Sequence, residues 1–256
     1  MVKQTMEEKT VFDQRSRLLE IQGLTKSFGG LKAVRNLDFE IREGEIVGLI
    51  GPNGAGKTTI FNLISGFYEP DEGRVTFLGE SIIGFKPHEI CARGLARTFQ
   101  LVQPFTGMTA IENTMVGAFS TTRSVSECIR KAGDILHLVG LDTKKTTLCE
   151  NLTLADRKCL ELARALATEP RLLLLDEIMA GLIETEWQNM LEVILGIRSK
   201  GVTILLIEHV MKAVMKVSDR IVVVNEGSKI SEGNPDVVAN DQKVIAAYLG
   251  DENESF

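Results

Sequence analysis

The stretch that most constrains this chain is Gly51-Pro52-Asn53-Gly54-Ala55-Gly56-Lys57-Thr58, with Thr59 behind it. It fits G-x-x-x-x-G-K-[ST], and its flanks agree with that pattern. Residues 45–50 (EIVGLI) read as a short apolar strand, and 59–64 (TIFNLI) continue as a helix. Three glycines let the backbone wrap closely around a polyphosphate with its N–H groups turned inward, where the helix N-terminus adds partial positive charge. Gly51, Asn53, Gly54, Ala55, Gly56 and Thr59 are then cradle positions. Lys57 is placed to reach the β- and γ-phosphates, and the Thr58 hydroxyl to ligate Mg²⁺. The implied ligand is a nucleoside triphosphate with Mg²⁺.

At 256 residues the chain can bury one sizeable core, or one core with a smaller subdomain. The net charge of −6 supplies no basic field for nucleic acid or anionic lipid. No apolar run approaches the roughly 18 residues of a membrane span, and residues 1–20 lack the apolar core of a signal peptide. Cys91, Cys128, Cys149 and Cys159 form no C-x-x-C pair, which favours reduced, mostly buried thiols of a cytosolic protein over a metal site or disulfide framework. Any membrane role is expected to come through a partner.

Taken in order, residues 1–17 read as a loose N-terminal extension, 18–250 as one α/β domain, and 251–256 as a tail. Strands are expected over 18–22 and 37–41, with a turn at 26–30 carrying Phe28. That ring is either an ordinary packing group or a face for an adenine ring. Residues 73–79 and 95–100 read as further strands, separated by a polar–apolar insert with a short helix from Pro87. From 109 to 150 the period is helical, and with its neighbours it forms a small helical subdomain over about 101–168. Thr153 and Asp156 have capping spacing ahead of a helix expected over 157–168. Four leucines (172–175) then lead into Asp176 and Glu177, a pattern that suits a fully buried strand. A helix over 184–199, a strand over 202–207 and a helix bearing Met211 and Met215 follow; the two methionines read as core filler. A hairpin over 220–231 and a helical end over 235–250 close the chain. Strands alternating with helices indicate a parallel sheet, and the early strands an antiparallel flank.

In such a sheet the strand C-terminal ends gather at one edge, where ligands sit. The phosphate loop, the Asp176–Glu177 pair and His209 all fall at such ends. Asp176 suits indirect Mg²⁺ coordination, and Glu177 suits orienting and deprotonating an attacking water. A lone histidine is more often structural; at this edge His209 reads as a γ-phosphate contact.

These pieces resemble the ATP-binding subunit of ABC transporters, over roughly residues 18–250. Phe28 stands where that family has its adenine-stacking aromatic, 51–58 is similar to its Walker A, and Gln100 to its Q-loop glutamine, a further metal contact. The stretch Leu152, Thr153, Leu154, Ala155, Asp156 stands at its signature motif, 172–177 at its Walker B, and His209 at its switch histidine. The stretches 28–31, 96–100, 180–182, 206–209 and 247–250 are similar to branched-chain amino acid importers, and lipopolysaccharide-export ATPases share several of them. The resemblance implies a P-loop NTPase of ABC type and an ATP-driven head-to-tail dimer. Each nucleotide would lie between one subunit's Walker A and the other's signature, with Gln100 relaying closure to the helical subdomain. It also implies transmembrane permease subunits, indirectly an extracytoplasmic solute-binding protein, and a peripheral position on the cytoplasmic face of the membrane.

The chain departs from the family pattern, whose signature is Leu-Ser-Gly-Gly-Gln. Here Thr153 keeps a hydroxyl and Ala155 an amide, but the freedom of two glycines is gone. Asp156 brings negative charge toward a phosphate, Ile178 replaces a common proline, and Ile183 a polar residue. The half serving this chain's own nucleotide is intact, so a heterodimer with a second ATPase subunit is expected. Two rivals remain. A soluble superfamily member acting on DNA or in translation would usually carry a coiled-coil insert or two cassettes. A P-loop kinase would leave Gln100, Glu177 and His209 without a joint purpose.

Overall fold

The computed structural model describes residues 16–100 and 104–249. Most of the expected extension, all of the tail and the first three residues of the helical subdomain lie outside the described residues. Arg17 was expected in the extension; instead it opens the first strand, paired with Arg42.

Two sheets form the frame. β1 (Arg17–Phe28), β2 (Leu31–Arg42), β4 (Glu72–Phe77) and β5 (Glu80–Ser81) make an antiparallel sheet of order β2-β1-β4-β5. β3 (Ile46–Ile50), β6 (Leu95–Arg97), β7 (Leu172–Asp176), β8 (Thr203–Ile207), β9 (Arg220–Asn225) and β10 (Ser228–Gly233) make the second, of order β10-β9-β3-β8-β7-β6. Its five neighbours from β9 to β6 run parallel, and β10 returns antiparallel. The molecule is thus α/β, a mixed sheet with an antiparallel flank.

The helices are α1 (Lys57–Ile64), α2 (Pro87–Ala92), α3 (Ala110–Ala118), α4 (Val125–Leu138), α5 (Leu154–Leu166), α6 (Glu184–Ser199), α7 (Met211–Val217), α8 (Pro235–Ala239) and α9 (Gln242–Leu249). The leucine run of β7 shows why the central strands are apolar throughout. Leu172 and Leu174 join one core with β1, β2 and α1, whereas Leu173 and Leu175 join another with α4, α5 and α6. β8 divides likewise, Leu205 and Ile207 against Ile204 and Leu206. A strand covered on both faces needs no polar alternation. Met211 and Met215 pack against a third cluster of Val214, Val223 and Tyr248.

Several boundaries differ from the sequence reading. The turn at 26–30 shrinks to Gly29 and Gly30, because Phe28 pairs with Leu31 inside the hairpin. Register shifts near Gly23 and Asn36, both at positive φ, break the alternation that would have revealed the full strands. β4 ends at Phe77 and β6 at Arg97. α5 starts at Leu154 rather than Arg157, because Thr153 and Asp156 cap it reciprocally: the Asp156 N–H donates to Thr153 Oγ1 and the Thr153 N–H to Asp156 Oδ2, each at 3.2 Å. The insert over 80–96 closes the first core, burying Ile82 and Ile90 with Phe85 against them.

Candidate functional site

The loop between β3 and α1 is pressed against its neighbours at two glycines. A Cβ on Gly51 would meet Val224 O at 2.0 Å, and one on Gly56, at φ 100°, would meet Ala33 O at 2.4 Å. Any side chain there would push the loop off the sheet edge. The β9–β10 turn holds it from the other side. Glu226 and Gly227 are both left-handed, as a type I′ turn needs, and the Gly227 N–H donates to Ala55 O at 3.0 Å. Lys57, 7% exposed, folds over the loop and donates to the Gly51 and Pro52 carbonyls at 2.5 and 3.0 Å.

The loop floors a cavity of about 640 Å³. Asn53, Gly54, Ala55, Gly56, Lys57, Thr58 and Thr59 line it with Phe28, Glu177, His209 and the Glu226–Gly227 turn. Phe28 is 43% exposed, packs T-shaped with the Tyr68 ring at 5.2 Å, and has the Lys26 ammonium over its ring at 5.6 Å. The loop expected to cradle phosphates thus lies beside an aromatic side chain.

Three side chains expected to act together do meet. Gln100 Nε2 donates to Glu177 Oε2 at 2.6 Å, and His209 Nε2 lies 2.6 Å from Glu177 Oε1. Glu177 sits at φ 51°, a left-handed conformation uncommon for a residue with a side chain, and its N–H donates to Ile207 O at 2.9 Å. Both carboxylate oxygens are therefore fixed at the cavity wall.

Thr58, Gln100 and Asp176 share a second cavity of about 730 Å³, which Thr58 alone of them shares with the first. A hydroxyl, an amide oxygen and a carboxylate are hard oxygen donors, the set that Mg²⁺ takes with substrate phosphates. Asp176 is bound by a residue that the sequence reading did not single out. Arg97 donates to Asp176 Oδ2 at 2.7 Å, to Asn62 Oδ1 at 2.6 Å and to Ser65 Oγ at 3.2 Å. Its guanidinium stands 5.4–5.9 Å from the rings of Phe61, Phe67 and Phe99. The only signal for it was a cation at the end of a buried strand.

Behind this wall lies a second group missed in the sequence. Lys158, 5% exposed, donates to Glu177 O at 3.2 Å. Glu161 Oε1 accepts the Phe99 N–H at 2.6 Å, and Glu208 Oε1 the Met179 N–H at 2.7 Å. Burial pushes the Glu161 and Glu208 carboxyls up to about 7 and the Lys158 ammonium down.

Thr153, Leu154, Ala155 and Asp156 line neither cavity. They form the cap and first turn of α5, with Thr153 and Leu154 exposed. The expected negative charge of Asp156 is already engaged: Lys144 Nζ reaches both of its oxygens at 2.8 and 2.7 Å. Burial opposes ionisation, yet hydrogen bonds from Lys144 and Thr153 hold the Asp156 carboxyl below its usual range.

Residues 34–180 match the family described as ABC transporter, and residues 228–254 match the family described as Branched-chain amino acid ATP-binding cassette transporter. The high-affinity branched-chain amino acid transport ATP-binding protein LivG of Salmonella typhimurium is 44% identical, over 91% of this chain and 98% of LivG. The corresponding BraF of Pseudomonas aeruginosa is 42% identical with the same coverage. Among solved structures, the ADP conformation of MJ1267, an ATP-binding cassette of an ABC transporter, superposes with a TM-score of 0.84 at 31% identity, over 92% of this chain and 99% of that one.

Proposed function

This chain belongs to the ABC transporter family, whose ATP-binding cassettes hydrolyse ATP to power transport, and on that footing we propose that it energises the import of branched-chain amino acids. The similarity to LivG and BraF and the matching C-terminal segment support this cargo over an exported lipopolysaccharide. The observation that carries the hydrolytic part is the convergence of Gln100 and His209 on the Glu177 carboxylate at the wall of the phosphate cradle.

In this reading the adenine lies against Phe28, and the triphosphate lies on Gly51, Asn53, Gly54, Ala55, Gly56, Lys57, Thr58 and Thr59. Lys57 leaves its two loop carbonyls for the phosphates. Glu177 orients the attacking water and takes its proton, while His209 and Gln100 fix the carboxylate and contact the γ-phosphate region. Thr58, Gln100 and Asp176 would hold Mg²⁺, which neutralises phosphate charge when bound. The α3–α5 region is the helical subdomain that Gln100 couples to the core.

The proposed assembly pairs this chain with a second ATPase subunit beneath transmembrane permease subunits, peripheral to the cytoplasmic face, with an extracytoplasmic solute-binding protein acting indirectly and no nucleic acid involved. Thr153, Leu154, Ala155 and Asp156 would face the partner's nucleotide. With Asp156 tied to Lys144 and no glycine in that turn, the unequal pairing is the better fit. No helix among the described residues is long and apolar enough to cross a membrane, in keeping with a partner supplying the span.

The test is uptake of radiolabelled leucine by native membrane vesicles loaded with Mg-ATP. Vesicles carrying the wild-type chain should accumulate leucine, and those carrying Glu177→Gln should not. Equal uptake by both would remove the hydrolytic role, and no uptake by the wild type the cargo.

A further inference from the structure

We propose that Lys158 and Glu161, one turn apart on α5, are positioning residues that hold the Glu177 and Gln100 segments from behind. The helix that opens at Thr153 is thereby tied to this chain's own hydrolytic group. The inference rests on the ATPase reading above.

Lys158 is a lysine with 5% exposure beside carboxylates, and a methionine of similar length would fill the same space without losing the hydration of a charge. What the ammonium adds is a hydrogen bond to Glu177 O at 3.2 Å. Glu177 adopts φ 51°, and a residue in that region persists only where its surroundings hold it. Here the main-chain N–H is held by Ile207 O of β8 and the main-chain carbonyl by Lys158. Glu208 follows β8, is 3% exposed, and its carboxylate is the leading opposite charge acting on Lys158. His209 is the next residue.

Glu161 does the corresponding work one turn on. Its Oε1 accepts the Phe99 N–H at 2.6 Å, and Phe99 immediately precedes Gln100. Two of the three stretches whose side chains meet at the Glu177 carboxylate are thus hydrogen-bonded to one face of α5. Lys158 lines neither cavity, and Glu161 lines only the second, so both act through the groups they hold. In the proposed dimer the N-terminus of the same helix faces the partner's nucleotide. A shift of α5 on closure would move the Glu177 and Phe99 main chains together, which makes hydrolysis at one site sensitive to engagement at the other.

The experiment uses the native complex recovered with the full chain, assayed for ATP turnover with Mg-ATP. Lys158→Met and Glu161→Met should each lower kcat on the order of tenfold while KM for ATP stays within about twofold, as loss of geometry rather than of binding requires. Lys158→Arg and Glu161→Gln keep a donor and an acceptor, and should recover to within about threefold of wild type. In a Gln100→Ala background, Glu161→Met should cost less than about twofold, because its effect passes through the Gln100 segment. An unchanged kcat, a KM that rises in step, or a full Glu161→Met effect in the Gln100→Ala background would overturn the proposal. If Lys158→Met yields no folded complex, the Glu161→Met pair decides alone. Glu177→Gln separates the two readings: full turnover by that variant defeats the ATPase reading itself. Its inactivity alongside unaffected Lys158→Met and Glu161→Met defeats only the positioning proposal.

Discussion

Arg97 donates to Asp176 Oδ2 at 2.7 Å between side chains that are 7% and 4% exposed. The pair links the short strand β6, the end of β7 and, through Asn62 and Ser65, the α1 helix of the phosphate loop.

Breaking a buried ion pair from one side leaves an uncompensated charge, which costs about 3–5 kcal/mol. Arg97→Met is therefore expected to lower the unfolding midpoint by on the order of 10 °C for a chain of this size. Arg97→Met with Asp176→Leu, which removes both charges, should lose much less. Calorimetry of the two variants checks it.

Lys57 and Glu177 should separate binding from chemistry. Lys57→Ala removes a charged donor to phosphate, a contact of about 1.5–3 kcal/mol, so ATP affinity should fall roughly ten- to hundredfold. Glu177→Gln keeps the shape and the Gln100 contact but loses the base of the proposed mechanism. ATP binding should persist while turnover drops about 10²–10⁴-fold. Calorimetric titration with ATP alongside phosphate release reads both.

Gly51→Ala places a methyl 2.0 Å from Val224 O. Overpacking of this kind costs about 1–3 kcal/mol and here displaces the loop itself. ATP binding should be lost to a greater degree than folding, as denaturant unfolding and nucleotide titration on one preparation would show.

Glu161 and Glu208 set a pH dependence. Both carboxyls are raised by burial from a usual value of 4.5 to about 7, against the lowering effect of Lys158 on both and of Arg164 on Glu161. Asp176 beside Glu161 and Glu177 beside Glu208 add to the rise. Between those values the folded chain keeps protons that the unfolded chain has released. Stability should therefore fall as pH rises from about 4.5 to about 7, and level off above that. The Glu161→Gln, Glu208→Gln double variant should flatten the slope in urea unfolding run across this window.

The parts legible in the sequence are those whose signal is local. Residues 51–59 announce a loop between strand and helix, and four leucines followed by Asp176 and Glu177 announce a strand buried on both faces. What escaped depends on partners far along the chain. Arg97 acquires its meaning from Asn62, Ser65 and Asp176, and Lys158 from the Glu177 carbonyl, none of which a local pattern can pair. The 12-residue lengths of β1 and β2 were hidden because their bulges interrupt the alternation a strand is read by. The start of α5 lies at Leu154 rather than Arg157 because the reciprocal cap of Thr153 and Asp156 sets its first turn.

This chain is proposed to work as one of two unlike ATPase subunits on a membrane transporter. The most direct test is to tag Glu177→Gln chain, hold it in Mg-ATP, and identify what co-purifies from detergent-solubilised native membranes. The account expects permease subunits together with a second ATPase subunit of different sequence. Recovery of permease with this chain as the only ATPase would contradict the unequal pairing, and recovery of only soluble or nucleic-acid-bound partners would contradict the transport role altogether.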